Sequence, residues 1–322
     1  MIGDLSRREM LVRSGVCLGA SAVAGAAAAG AESGAAPGKP PFRYSLNTST
    51  ISGHKLSLAE QVEVAAKAGY QGIEPWLRDI QRYQDEGGSL AELGKRIADL
   101  GLEVENAIGF TRWAVDDEAE RQAGLEQYRR EMEMVAALGG TRIAAPPSGI
   151  NKTAGVSLVA IAQRYRALLE LRRRMGVAPQ LEIWGSALTL GRASEAAFVA
   201  VAADHPDACV LLDAYQLYKG GSGFDGILAI SGRAMHVFHM NDYPANPPRE
   251  KVADADRVYP GDGVCPLDRV LRNLHAVGFH GALSLELFNR TYWQAQDALS
   301  VARTGLEKMR AVVEKAMAES GA

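Results

Sequence analysis

Cysteine is scarce in this chain, with three in 322 residues, so no disulfide framework carries the fold. Positive charge is not in excess either. The 35 Lys and Arg stand against 38 Asp and Glu, for a net charge of −3 at pH 7 and a pI near 6.1. Without a basic field for phosphate backbones, no nucleic acid partner is expected. Long hydrophobic runs are missing except at the extreme N-terminus, where the run is Ala and Gly and promises no stable membrane anchor. No Gly-rich phosphate loop follows the first apolar run, which disfavours a doubly wound dinucleotide fold. What is present is a 47% hydrophobic chain able to bury a large core, as two ordinary domains or one α/β barrel.

The N-terminus reads as a processing segment. Ser6-Arg7-Arg8-Glu9-Met10-Leu11 resembles the twin-arginine export signature, with Met10 where Phe is usual. A weakly hydrophobic stretch from Gly15 to Gly30 follows, and Ala29-Gly30-Ala31 offers a small-residue cleavage site. Residues 1–31 are therefore expected to be a signal peptide and the protein to be periplasmic. Cys17 is no lipid-attachment site, because Val16 before it is too bulky. The other two cysteines, Cys209 and Cys265, should start a strand and precede a helix at opposite ends of one unit, and are expected to stay unpaired. Residues 32–41, rich in Gly, Pro and Ala, read as a linker.

From residue 42 to 322, short apolar runs alternate with helical patterns, the signature of parallel βαβ units. The runs are Phe42–Asn47, Gly72–Trp76, Glu103–Ile108, Thr141–Ala145, Gln180–Gly185, Cys209–Ala214, Met235–Asn241 and Ala282–Phe288. Between them Leu125, Tyr128, Met132 and Val135 keep helical spacing, as do Leu158, Ile161, Tyr165 and Leu168. Gly69, Gly101, Gly139, Gly176 and Gly278 fall where helices would close. Eight such units in one α/β domain predict a (β/α)8 TIM barrel, with its active site at the C-terminal ends of the strands.

Strand period two selects the side chains that face inward there. Glu182 shares a face with Trp184, Asp213 with Leu211, His239 with Val237 and Asn241, and Glu286 with Ser284. Four consecutive strands thus each deliver one ionisable residue to the barrel mouth. Any one alone reads as a satisfied polar residue at a strand end. Three converging carboxylates would repel one another unless protonated or neutralised by a cation. Three oxygen ligands and one imidazole suit Mn²⁺, Mg²⁺ or Co²⁺, with Zn²⁺ also acceptable. His236 is out of phase with His239 and is expected to face the helices.

These pieces, Leu181-Glu182-Ile183-Trp184, Leu212-Asp213-Ala214-Tyr215, His239-Met240-Asn241-Asp242 and Leu285-Glu286-Leu287, resemble the xylose isomerase-like sugar isomerase/epimerase superfamily. Gly72-Ile73-Glu74-Pro75 adds to the likeness, which spans nearly the whole chain after the linker. The resemblance implies that Glu182, Asp213, His239 and Glu286 bind one divalent ion. It also implies that Arg257, in Arg257-Val258-Tyr259-Pro260-Gly261-Asp262-Gly263, reaches a substrate oxygen, although the Pro and Gly residues would equally make a tight turn. Glu74 reads as a further substrate contact or as a pore-lining residue, and Trp184 as a pocket wall. Relatives of the ketose epimerase type often carry His three residues after the metal Asp. Here Gln216 stands there, able to bond a sugar hydroxyl but not to transfer a proton.

The chemistry so implied starts with an ion that polarises a sugar carbonyl and stabilises an enediolate. The neighbouring C–H then loses its proton to one of the catalytic pair Glu182 and Glu286, and the other returns it. Return to the opposite face is epimerisation, and return to the next carbon is isomerisation. Expulsion of a β-substituent instead would make a lyase or hydratase, for instance on 3-keto-glycosides. A zinc endonuclease would need more inward histidines than one, and a sugar-binding protein would need no pair of glutamates. A homodimer or higher homo-oligomer is compatible with such a barrel.

Overall fold

The computed structural model describes residues 41–319. The twin-arginine motif, the cleavage site and residues 32–40 of the linker lie outside them. Eight parallel strands form one curled sheet in the order β3-β2-β1-β8-β7-β6-β5-β4. They are β1 (Arg43–Asn47), β2 (Gly72–Glu74), β3 (Glu103–Val104), β4 (Arg142–Ala145), β5 (Ala178–Glu182), β6 (Val210–Asp213), β7 (Met235–Met240) and β8 (Ala282–Leu285). The chain beyond β3 meets β4 through a hydrogen bond from Ala144 N to Ala107 O at 2.8 Å, which brings the two ends of the sheet together. This is the expected barrel.

Among the described residues ten α-helices accompany the strands. They are α1 (Leu58–Ala68), α2 (Leu77–Asp85), α3 (Leu90–Asp99), α4 (Glu118–Ala137) and α5 (Leu158–Met175), then α6 (Ala193–Ala202), α7 (Ala214–Lys219), α8 (Leu267–Ala276), α9 (Arg290–Ala295) and α10 (Ala298–Ala318). The predicted stripes Tyr128, Met132 and Val135 on α4 and Ile161, Tyr165 and Leu168 on α5 are buried. Gly69 and Gly176 cap α1 and α5 at φ 91° and 72°, a conformation that costs glycine nothing.

The strands are shorter than the apolar runs, for a local reason. After Glu182 the chain leaves the ladder, and Trp184 N bonds Leu190 O instead. After Val104 the bonds continue irregularly, from Glu105 N to Ile73 O and from Ile108 N to Pro75 O. Those departures build the mouth. The phase survives them: Leu211, Val237 and Ala282 meet in a small cluster inside the barrel, while Ile183 and Leu212 join the larger core under the helices. Cys209 and Cys265 are unpaired, as expected. No helix among the described residues is long and apolar enough to cross a membrane.

Candidate metal centre and active site

Glu182 ends β5 and Asp213 ends β6, His239 sits one residue before the end of β7, and Glu286 follows β8. The register sets Asp213 beside His239 and His239 beside Ser284, so the polar residues of adjacent strands fall at one height. Asp213, His239 and Glu286 are buried and each offers a ligand atom within 4.8 Å of the others. His239 Nδ1 lies 3.3 Å from Glu286 Oε2 and 3.7 Å from Asp213 Oδ2. Glu182 is not a member of this tight trio. It lines the same cavity as Glu286, and its Oε1 accepts the Trp184 indole N–H at 3.2 Å.

Asp213 is held from both sides. Its Oδ1 accepts from Gln216 N at 2.8 Å, which caps α7, and its Oδ2 accepts from Asn241 Nδ2 at 3.0 Å. The metal-type carboxylate is thus also a helix cap. That explains why the residue three positions on, Gln216, comes to the cavity wall. Gln216 Oε1 accepts from Gly185 N at 2.7 Å, which leaves its amide nitrogen to face the cavity.

Glu74 does not line the cavity, which corrects its reading as a substrate contact. It is fully buried beneath the trio. Its Oε1 accepts from Asn106 Nδ2 at 2.6 Å and lies 3.0 Å from His239 Nε2. Its Oε2 accepts from Asn47 Nδ2 at 2.9 Å and Ser284 Oγ at 2.7 Å. A carboxylate behind the outer nitrogen of an imidazole fixes the ring and turns its other nitrogen, here Nδ1, toward a ligand. Period two could place Glu74 inward but not say how deep. Asn47 and Asn106 were missed, although Asn47 ends β1 on the same face as Ser45.

Arg257 is 1% exposed and reaches the centre of the site. It donates from Nη1 to Glu286 Oε2 at 2.6 Å and to Asp213 Oδ2 at 3.0 Å, and from Nη2 to Asp254 Oδ1 at 2.5 Å. Its guanidinium stacks over Tyr215, 4.4 Å from the ring centroid. The loop that carries it is tied by Asp242, whose carboxylate accepts from the backbone N–H of Tyr243, Gly261, Gly263 and Cys265. A Cβ on Gly263 would stand 2.3 Å from Asp242 Oδ1, so only glycine fits there. Asp242 is a third residue whose role the sequence did not reveal.

The electrostatics follow from burial and crowding. Burial alone would depress the His239 imidazole, but Glu286 and Glu74 outweigh it and hold its pKa well above the ordinary value. Burial pushes Glu182 up to about 8 against the pull of His239, and Glu286, Glu74 and Asp213 add to the rise. Glu286 and Glu74 go the other way: burial raises each, and His239, with Arg257 for Glu286, brings the net shift below the usual value. His239 Nδ1 and Glu182 Oε2 are buried without a hydrogen-bond partner. Buried polar atoms are seldom left so, and ionisable ones least of all. Four acids, Glu74, Glu182, Asp213 and Glu286, surround one guanidinium and one imidazole. The cluster stays acid-rich even with His239 charged, so its donor set fits a divalent cation.

The cavity above has a volume of about 450 Å³. Of the residues singled out in the sequence, Glu182, Trp184, Gln216, Arg257 and Glu286 line it, together with others, among them Asp254, Phe110 and Trp293. Trp113 is fully buried and packs on Tyr165 instead. His236 lies off the site, its pKa lowered to about 4 by burial and by Arg142 and Arg172.

An eight-stranded parallel barrel whose mouth holds a buried carboxylate–imidazole cluster has the architecture of a barrel enzyme, and that cluster could hold a divalent metal ion. The chain belongs to the xylose isomerase-like TIM barrel family, whose family model matches residues 62–312. An inosose isomerase from Bacillus velezensis is 26% identical over 267 residues, covering 80% of this chain and 93% of that protein. A 3-dehydroshikimate dehydratase from Pseudomonas aeruginosa is 27% identical over 278 residues, 84% of this chain but 42% of that protein. Among solved structures, the IolI protein with a bound zinc atom superposes with a TM-score of 0.78 at 21% identity, covering 85% of this chain and 99% of the other. An L-ribulose 3-epimerase gives 0.70 at 19%, covering 87% and 97%.

Proposed function

We propose that this protein is a divalent-metal-dependent sugar isomerase or epimerase working by proton abstraction next to a carbonyl. Asp213, His239 and Glu286 would hold the ion with Glu182 as fourth ligand. Mn²⁺, Mg²⁺ or Co²⁺ suits the oxygen-rich set, and Zn²⁺ is carried by the IolI relative. When bound, the ion polarises the substrate carbonyl. The observation that carries the reading is a pair of unpartnered buried atoms, His239 Nδ1 within the Asp213–His239–Glu286 trio and Glu182 Oε2 on a residue that lines the cavity with Glu286.

The residues divide the work by their hydrogen bonds. Both oxygens of Glu286 are engaged, by Asn47 and by Arg257, so its carboxylate is fixed in place. Glu182 keeps one oxygen free, which makes it the group that takes the proton from the carbon beside the carbonyl. The C–H electron pair moves into a C=C bond as the carbonyl oxygen becomes an oxyanion. Arg257 donates to that oxygen or its neighbour. Glu182, now carrying the proton, returns it to the adjacent carbon, or releases it to solvent while Glu286 passes a proton taken from solvent to the opposite face. Trp184 and Gln216 orient the sugar.

A second reading keeps the first step and expels a β-substituent. Gln216, which cannot relay a proton, favours it, as does the likeness to the dehydratase of Pseudomonas aeruginosa. We also assign the enzyme to the periplasm on the strength of Arg7 and Arg8. Double replacement by Lys should leave the protein in the cytoplasmic fraction, and unchanged export would overturn that assignment. The catalytic reading is tested by NMR in deuterated buffer with free ketoses and then 3-keto-glycosides. Metal-dependent exchange at the acidic carbon supports it, isomer formation or elimination separates the two readings, and exchange undiminished by chelator sinks both.

A further inference from the structure

The cavity lining has a polar group and an aromatic group of residues, with Ser186, Asp254 and Arg290 besides. Toward the strand ends stand Glu182, Glu286, Arg257 and the Gln216 amide, every one a donor or acceptor. The outer wall is an arc of rings. Trp76 lies 5.1 Å from Phe110 and 6.0 Å from Phe288, and Phe110 lies 5.9 Å from Trp184. Trp293 adds a fifth ring to the lining. The rings are tilted against one another by 57°, 71° and 46°.

An aromatic wall can serve a second sugar only if it also offers hydrogen bonds for the hydroxyls. This one does not. The Trp76 N–H donates to Asn47 Oδ1 at 2.9 Å, the Trp184 N–H to Glu182 Oε1 at 3.2 Å, and the Trp293 N–H to Thr50 O at 2.7 Å. All three indole donors are spent inside the protein, so the arc presents ring faces and edges alone. A sugar hydroxyl held against the rings would lose its hydrogen bonds to water without gaining any there. Phe110 is 46% exposed, an apolar group that folding alone leaves uncovered. The volume of about 450 Å³ falls among pockets that hold ligands of more than one ring.

Resting on the sugar-enzyme reading above, we propose that the substrate is a conjugate. A sugar-like head carries the reacting carbonyl to the polar end, and a flat apolar ring attached to it lies against Phe110, Trp76 and Trp184. The outer half of the cavity is then an aglycone subsite. An aryl glycoside with one ring carbon of its sugar oxidised to a ketone fits it better than a free monosaccharide or a disaccharide, the unoxidised glycosides serving as binding probes.

The test is isothermal calorimetry on the full chain, with and without added Mn²⁺, using phenyl and methyl glycosides of glucose, galactose and mannose, and cellobiose. At least one phenyl glycoside should bind about tenfold or more tighter than its methyl counterpart, the return on burying one phenyl ring. Cellobiose should stay near the methyl glycosides. Phe110→Ala should bring the phenyl-to-methyl ratio toward one, and Phe110→Tyr should restore it, with thermal melts confirming that both variants fold. Equal affinities, tighter cellobiose, a ratio unmoved by Phe110→Ala, or no measurable phenyl glycoside binding overturns the proposal. Because the measurement reads binding without turnover, loss of deuterium exchange would sink the catalytic reading while leaving this preference standing, and the reverse.

Discussion

Two polar layers lie one above the other inside the same barrel, and they handle burial in opposite ways. In the lower layer Glu74 is saturated, with three donors and the His239 ring on its two oxygens. The buried atoms left unpaired around it are neutral ones, such as Gln180 Oε1 and Ser45 Oγ. In the upper layer the unpaired atoms belong to ionisable groups, Glu182 Oε2, His239 Nδ1 and Arg257 Nε. A saturated carboxylate is part of the frame. Ionisable groups left short of partners in a cavity are waiting for a ligand, because the cost of leaving them so is recovered only when something binds.

Replacing Glu182 and Glu74 in turn separates the layers, and the upper one should show the largest effect. Glu182→Gln should lower the rate of substrate deuterium exchange by about 10²–10⁴-fold, the usual worth of a positioned acid–base group. It removes a buried, poorly paired carboxyl, so the melting temperature should hold or rise. A variant that melts lower yet exchanges normally would place Glu182 in the frame. Glu74→Gln should do the reverse. The fourth partner of its carboxylate is the His239 ring, so metal affinity should fall by about 10–100-fold, as read by competition with a chromogenic chelator, with the melting temperature dropping too. Unchanged affinity would detach Glu74 from the metal centre.

Much of this contrast was legible in the sequence, and the part that was not has a physical cause. Period two sorts residues into inward and outward, and it placed Glu182, Asp213, His239 and Glu286 inside and His236 out. It carries no information on height, which depends on how neighbouring strands are staggered around the barrel. Glu74 and Glu182 were therefore equivalent on paper although one lies under the imidazole and the other beside the open cavity. Phe110 was illegible for another reason: it lies beyond β3, where the chain has left the ladder and no period applies. The long loop of Arg257 was read from its Pro and Gly residues, but not Asp242, whose four backbone partners span 23 positions of sequence.

That loop offers a middle-sized test of the upper layer. Asp242→Ala would strip four backbone N–H groups, one buried and three partly buried, of their acceptor and should destabilise the fold by about 1–3 kcal/mol in urea unfolding. Asp242→Asn, which keeps one acceptor oxygen, should cost less. In both, Arg257 loses its anchor, so kcat/KM should fall more than stability loss alone explains. If kcat/KM stays at the parent level in the Asn variant, Asp242 shapes the loop without positioning the arginine.

The smallest effect belongs to a histidine in neither layer. His236 is held near pKa 4 by burial and by the positive charges of Arg142 and Arg172, against 6.5 for a free imidazole. Between those values the unfolded chain binds a proton that the folded protein refuses. Its contribution is therefore fully present above pH 6.5 and is lost as pH falls toward 4. His236→Gln removes that loss, so the unfolding midpoint of the variant should decline less steeply than that of the parent between pH 6.5 and 5, a window in which ordinary carboxylates stay ionised. His54 and His205, also lowered by burial, act equally in both proteins and cancel in the difference. Parallel curves would mean that His236 gains a proton as easily folded as unfolded.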